Sequence, residues 1–296
     1  MIIKVLEPIG FTNSDWIKDL KEKFDIHIEE IDTRDMTDEI LISHVYDANA
    51  LVLANRPLTK KVLLTCPHLQ FIAVSFAGID HIDAETALNK NIIIKNAAGY
   101  ATHAVSELVI ALTLELYRKI SLARTTLTKE KANLFPLGKE LFNKKVGIIG
   151  EGSIGKQTAS LFSAFGCEVL CYKRESSCLE DILKTSDILS LHIPLTDETR
   201  HFIDERKLSL MKPSAVIINT ARGPIIDQKA LITALSENKI AGAALDVFDQ
   251  EPPLPSSHPL LKLDNVLLTP HIGYRTEEAM KAKAELTLKN LENWLR

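Results

Sequence analysis

The four cysteines of this chain form no CxxC pair, no apolar run approaches the roughly 20 residues of a membrane-crossing helix, and basic residues are in no excess. Each absence excludes something. Cys66, Cys167, Cys171 and Cys178 offer neither a disulfide framework nor closed tetrahedral spacing for zinc, so small apolar residues packed near a core are expected and no metal site is. A net charge of -4 with a pI near 6.2 argues against a nucleic-acid partner, which calls for a basic stripe. The opening "IIKVLEPIG" has neither a basic start nor a cleavage site, so a signal peptide is not expected. With no membrane span, the expected location is the cytoplasm. Internal repeats, low-complexity tracts and flexible linkers are also missing.

What remains is an ordinary globular composition: 296 residues, 46% hydrophobic and 25% charged, enough for one large or two medium domains. Short apolar runs alternate with helical stretches from end to end, the signature of an α/β protein. A first series offers strands at "IIKVLEPI", "FDIHIEEI", "ALVLAN", "LQFIAVSF" and "NIIIKN". Between the first two, "SDWIKDLKEKF" reads as a helix capped by Ser14, with Trp16, Ile17 and Leu20 on one face. Near-continuous apolar strands separated by helices imply a parallel sheet covered on both faces. "HAVSELVIALTLELYRKI" then reads as one long apolar helix, and a second strand series runs through "KVGIIG", "EVLCY", "DILSLHI", "AVIINT", "GAALDV" and "NVLLT". The domain crossing is placed just before the long helix. A last helix, from about Thr276 to Arg296, follows the second series and is expected to return to the first domain. The expected division is therefore residues 1–97 with 275–296, and residues 98–274.

The most informative local motif is "VGIIGEGSIGKQTASLF", where Gly150, Gly152 and Gly155 stand at G-x-G-x-x-G spacing between a strand and a helix. Gly150 suits the tight turn, Gly152 the close approach of a pyrophosphate, and Gly155 close helix–strand packing. Phosphates would sit at the helix N-terminus, where N–H groups and the dipole favour negative charge. The bland alternative is a strand–helix turn that needs glycines for geometry alone.

Three more stretches end apolar strands of the second series: "INTARGPIID", "ALDVFDQEPP" and "TPHIGYRT". Strand ends of this kind are where open α/β sheets bind ligands. Arg222 has a planar fork suited to a carboxylate. Glu251 and His271 suit an acid–imidazole pair, in which the carboxylate favours the protonated ring and the ring supplies a proton. A surface ion pair, a loop acid and a helix-capping histidine would explain these residues one at a time. Their shared placement beside a nucleotide turn points to a site.

The ordered motifs "FAGIDHID", "NAAGYATHAVSEL", "VGIIGEGSIG", "LHIPLT", "NTARGPIID", "ALDVFDQEP" and "PHIGYRT" resemble the D-isomer-specific 2-hydroxyacid dehydrogenase family across essentially the whole chain. The resemblance implies two Rossmann-like doubly wound parallel-sheet domains, the nucleotide-binding one inserted into a discontinuous substrate domain. It implies hydride transfer between a nicotinamide cofactor and a small 2-oxo or D-2-hydroxy acid. Arg222 would hold the carboxylate, His271 would donate the proton and Glu251 would orient it. The backbone at Ala77 and Gly78 would also receive the carboxylate, with Tyr100 lining the substrate pocket. Beside the glycines, Ser153, Ile154, Thr102, His192, Pro194, Thr199, Thr220, Ala221 and Gly273 would lie along the cofactor, and Asp246 would hold its carboxamide. A homodimer through the nucleotide-binding domain is expected, with the helix after Tyr100 and the loop to Asn143 as the candidate surface. The far-end specificity would come from loops such as Ala50 to Leu58, from Phe76 and from the terminal helix.

Formate is disfavoured as substrate, because the formate-oxidising relatives pair their histidine with glutamine and this chain has Glu251. A serine-regulated long phosphoglycerate dehydrogenase is not expected, since the chain stops soon after the last helix. A short one stays open, with Arg56, Lys60 and Lys61 as phosphate candidates or merely solvated cations. A corepressor-like NAD(H) sensor or a scaffold could share the fold. Finally, "CYKRESS" places Lys173 and Arg174 where NAD-specific relatives have an aspartate, with Ser176 and Ser177 nearby. Cations there match a 2′-phosphate, so NADP(H) is favoured over NAD(H).

Overall fold

The structure, a computed structural model, describes residues 1–9, 14–125, 127, 135, 137–173 and 178–296. The chain divides into two compact units, Met1–Ala101 with Arg275–Arg296, and Thr102–Tyr274. The division thus falls between Ala101 and Thr102, at the start of the helix Thr102–Arg118, whereas the sequence reading set it after residue 97.

In the first unit the strands are β1 (Ile2–Val5), β2 (His27–Glu30), β3 (Ala50–Leu53), β4 (Phe71–Val74) and β5 (Ile93–Asn96). They form one parallel sheet in the order β2-β1-β3-β4-β5. All four residues of both β3 and β4 are buried, as strands covered on both faces require. The helix Glu277–Leu295 closes this unit: Leu291 is fully buried in the core with Ile3, Val52 and Phe71, and Trp294 stacks on Phe71 at 4.9 Å between ring centroids. Burying side chains of this size contributes roughly 1.5–3 kcal/mol each, which fastens the terminal helix to strands some 200 residues earlier. Its first turn is capped by Thr276, whose hydroxyl accepts the Ala279 N–H.

The second unit holds β6 (Lys145–Ile149), β7 (Glu168–Tyr172), β8 (Ile188–Leu191), β9 (Val216–Asn219), β10 (Gly242–Leu245) and β11 (Val266–Leu268). The parallel order is β11-β10-β9-β8-β6-β7, so the chain reverses direction of growth between β6 and β8. Two cores cover its faces, one around Leu189, Ile217 and Leu245, the other around Val109, Ile148 and Phe162.

One expected element is interrupted. The long helix ends at Arg118, Lys119 turns left-handed at φ 52°, and a separate short helix spans Ile120–Arg124. The break is stabilised locally, because the Glu115 carboxylate accepts the Ser121 N–H at 2.9 Å. No helix among the described residues is long and apolar enough to cross a membrane.

Candidate active site

The second unit builds its site at the carboxyl ends of its strands. β6 runs into Gly150, which adopts φ 107°, a conformation open to glycine. A Cβ there would meet the His192 carbonyl oxygen at 2.5 Å, so the exits of β6 and β8 are pressed together. Gly152 is the N-cap of the helix Ser153–Ala164, which starts with Ser153 and Ile154 and has no side-chain cap. No atom lies within 4 Å of the position a Gly152 Cβ would take. The turn therefore leaves room for a phosphate to approach the backbone at the helix N-terminus, the arrangement a pyrophosphate needs. Gly155 is the packing glycine, since its Cβ would stand 2.0 Å from the Gly150 carbonyl oxygen. A nicotinamide dinucleotide fits this cradle. Gly155→Ala is expected to cost about 3 kcal/mol of stability, because the obstacle is backbone and cannot rotate away. It should also abolish the thermal shift given by reduced cofactor; an undiminished shift would count against the cradle.

Beside the turn, Gly150, Glu151, Tyr172, Lys173, Ile193 and Thr199 line a cavity of about 280 Å³. Lys173 is exposed at the end of β7, while Arg174, Ser176 and Ser177 lie outside the described residues. The Thr199 hydroxyl donates to the Pro194 carbonyl at 2.6 Å and fixes the loop after β8. His192 has its ring Nε2 2.9 Å from the Ser190 hydroxyl, and burial lowers its pKa to about 4. The ring is neutral near pH 7, so it is the backbone of His192 that abuts the glycine turn.

The exits of β9, β10 and β11 are neighbours and carry the remaining candidates. After β9, Asn219 holds the turn with both ends of its amide: Oδ1 accepts the Ala221 N–H at 3.0 Å and Nδ2 donates to the Arg222 carbonyl at 2.9 Å. Arg222 is half-buried and extended, and its guanidinium donates to the Ala221 carbonyl at 2.8 Å. Thr220 is buried, and its hydroxyl has no hydrogen-bond partner among the described residues. A buried hydroxyl in that state suits a ligand at this edge.

After β11, His271 Nδ1 lies 3.1 Å from Glu251 Oε2, and the Tyr274 ring meets the imidazole edge-on at 5.7 Å. His271 itself is left-handed at φ 54°, a conformation that costs about 1–3 kcal/mol for a residue other than glycine. Asp246 holds it there. This carboxylate is 1% exposed and accepts the Thr269 hydroxyl at 2.6 Å, the Ile272 N–H at 2.8 Å and the Gly273 N–H at 2.8 Å. Asp246, expected to meet a cofactor carboxamide, thus already fastens both sides of the His271 turn. Neither Asn219 nor Thr269 was expected to matter; both stand inside the quoted motifs, yet neither the local bonds of the Asn219 amide to Ala221 and Arg222 nor the long-range bond of the Thr269 hydroxyl to Asp246 is a sequence signal.

The other candidates belong to the first unit or its edge. Ala77 and Gly78 follow β4, where Asn96 Nδ2 donates to the Ala77 carbonyl at 2.6 Å. Tyr100 is buried, its ring 6.2 Å from that of Phe76. Thr102 opens the helix that begins the second unit. Among the described residues no group of three or more His, Cys, Asp or Glu could hold a metal ion.

Residues 110–273 match the family described as "D-isomer specific 2-hydroxyacid dehydrogenase, NAD binding domain". A glyoxylate reductase of Thermofilum pendens is 40% identical over 291 residues, covering 92% of this chain and 86% of that protein. Among solved structures, an acyclic imino acid reductase in complex with NADPH and D-Arg superposes with a TM-score of 0.89 at 30% identity, covering 100% of this chain and 97% of that one. A D-lactate dehydrogenase of Aquifex aeolicus, complexed with NAD and lactic acid, gives 0.86 at 29% identity, covering 99% of this chain and 95% of that one.

Proposed function

Because this chain belongs to the D-isomer-specific 2-hydroxyacid dehydrogenase family and is a hydride-transferring oxidoreductase with a nicotinamide cofactor, we propose that it reduces small 2-oxo acids, glyoxylate among them, to 2-hydroxy acids through Arg222, His271 and Glu251. The observation that carries this reading is the His271–Glu251 contact of 3.1 Å on a turn clasped by the buried Asp246.

When bound, the reduced nicotinamide supplies the hydride. Arg222 binds the substrate carboxylate with its fork, and its charge favours the negative charge growing on the 2-oxo oxygen. Glu251 engages His271 through Nδ1, which leaves Nε2 to carry the proton toward the substrate oxygen. Asp246 keeps the ring in place through the Thr269 hydroxyl before it and the Ile272 and Gly273 N–H groups after it. Thr220, Ser153 and Ile154 lie along the cofactor side of the sheet edge. The unit Met1–Ala101 with Arg275–Arg296 is the substrate domain, and Thr102–Tyr274 the cofactor domain.

NADP(H) is the preferred cofactor, supported by Lys173 at the exit of β7 and by Arg174 next to it in sequence. One charge-assisted hydrogen bond to a 2′-phosphate contributes about 1.5–3 kcal/mol, so kcat/KM for NADPH is expected to exceed that for NADH by at least about tenfold. A clear NADH preference would overturn the choice. The protein acts as a cytoplasmic homodimer without a nucleic-acid partner. The exposed Ile120, Leu122 and Phe142, at 58%, 51% and 62%, support an interface along the segment after the long helix.

A further inference from the structure

Tyr274 stands in the motif "PHIGYRT" and has no part in the chemistry above. It follows His271 by three positions and is half-buried, and its ring centroid lies 5.7 Å from that of the imidazole with the ring planes at 83°. The polar partner of the imidazole is Glu251 at Nδ1, and the Glu251 side chain is 46% exposed against 25% for His271. A pair this open to water fixes its members weakly, because solvent competes for both groups and the long acidic side chain must give up rotamer freedom. One contact at Nδ1 lets the ring turn about its bond to Cβ while the flexible glutamate follows. Nε2 turns with it.

The Tyr274 ring adds a second contact, and the chain that carries it is pinned. The His271 N–H donates to the Thr269 carbonyl at 3.0 Å, and the next two N–H groups, of Ile272 and Gly273, donate to Asp246 at 2.8 Å. Gly273 is buried, and a Cβ there would approach Asp246 Oδ2 to 3.0 Å and the Val105 side chain to 3.4 Å. Tyr274 leaves this turn directly, so a short, fixed path returns its ring to the imidazole. Perpendicular ring pairs at this distance attract because the positive edge of one ring meets the negative face of the other, and the attraction is lost when either ring turns. An aliphatic side chain would fill the same space without resisting that rotation. Glu251 and Tyr274 therefore restrain the imidazole in different ways, one through a nitrogen and the other through the plane of the ring.

We propose that Tyr274 is a positioning residue of the reaction, whose edge-on contact holds the imidazole plane of His271 so that Nε2 is presented for proton transfer while Glu251 engages Nδ1. The proposal rests on the reading of His271 as the proton donor. Two consequences follow from the geometry. The contact needs the ring of Tyr274 and not its hydroxyl, and it acts only through the imidazole.

The test is a double-mutant cycle in steady-state reduction of glyoxylate by wild type, Tyr274→Leu, Tyr274→Phe, His271→Ala and the His271→Ala, Tyr274→Leu double variant, with fluorescence titration of reduced cofactor beside it. Glyoxylate carries no side chain, so a lost substrate side-chain contact cannot imitate the effect. Tyr274→Leu should lower kcat by about tenfold, the upper end of what a ring pair of this kind supplies, with KM for glyoxylate and cofactor Kd close to wild type. Tyr274→Phe should keep the wild-type rate. In the His271→Ala background the leucine substitution should cost nothing further, because two residues that act through one contact are not additive. The same tenfold loss in that background would overturn the proposal, since Tyr274 would then act on its own. A tenfold loss in Tyr274→Phe would overturn it as well, whether or not the leucine variant folds. Tyr274→Leu at the wild-type rate beside an inactive His271→Ala would overturn the positioning role alone, whereas wild-type turnover by His271→Ala would overturn the reading beneath it.

Discussion

His271→Ala is expected to lower kcat by about a hundredfold to ten-thousandfold, the range that a positioned general acid contributes, while cofactor affinity stays near that of wild type. The split follows from where the residue stands. Its ring touches Glu251 and Tyr274, and its backbone is held by Asp246 through Ile272 and Gly273. Alanine removes the ring and leaves the Asp246 clasp intact, so the exit of β11 keeps its shape. The glycine turn after β6 is built from other residues, Gly150, Gly155 and the His192 carbonyl. Rapid-mixing turnover with glyoxylate, set beside fluorescence titration of reduced cofactor, measures both quantities. Turnover within threefold of wild type would remove His271 from the mechanism, whereas equal loss of cofactor binding would make it a structural residue.

Arg222→Lys should reduce kcat/KM for a 2-oxo acid by about a hundredfold. A bidentate guanidinium–carboxylate pair makes two charge-assisted hydrogen bonds of about 1.5–3 kcal/mol each, and an ammonium replaces at most one of them with the wrong geometry. The backbone carrying the side chain is fixed by Asn219, whose amide bonds both Ala221 and Arg222, so lysine would start from the same place. The loss should therefore fall on KM as well as on kcat, with the melting temperature little changed. If KM for glyoxylate is unaltered and kcat alone falls, Arg222 acts on the transition state without holding the carboxylate.

Most of the architecture was legible because it is periodic. Buried runs such as "ALVL" and "FIAV" can only be central strands of a covered sheet, and their alternation with helices implies parallel order. The glycine turn was legible because backbone contact at Gly155 and a left-handed Gly150 admit few other residues. What escaped depended on single backbone states or on distant partners. Lys119 continues the helical pattern in composition, yet its left-handed backbone splits the helix. Asp246 reads as a lone acid at a strand end, and only the return of the chain at Thr269 to Gly273 turns it into a clasp. Lys283 reads as one more cation on a charged helix, and only the stripe it shares with Leu291 shows that it is buried. Arg174, on which part of the cofactor preference rests, lies outside the described residues.

Hydride transfer to a 2-oxo carbon is tested most directly by isotope. Reduced cofactor deuterated at its transferable position is mixed with the protein and pyruvate, and the product is analysed by mass spectrometry and chiral chromatography. The expected product is D-lactate carrying one deuterium at C2, formed in step with cofactor oxidation. L-lactate, unlabelled product, or no product from pyruvate, glyoxylate and 2-oxoglutarate alike would contradict it.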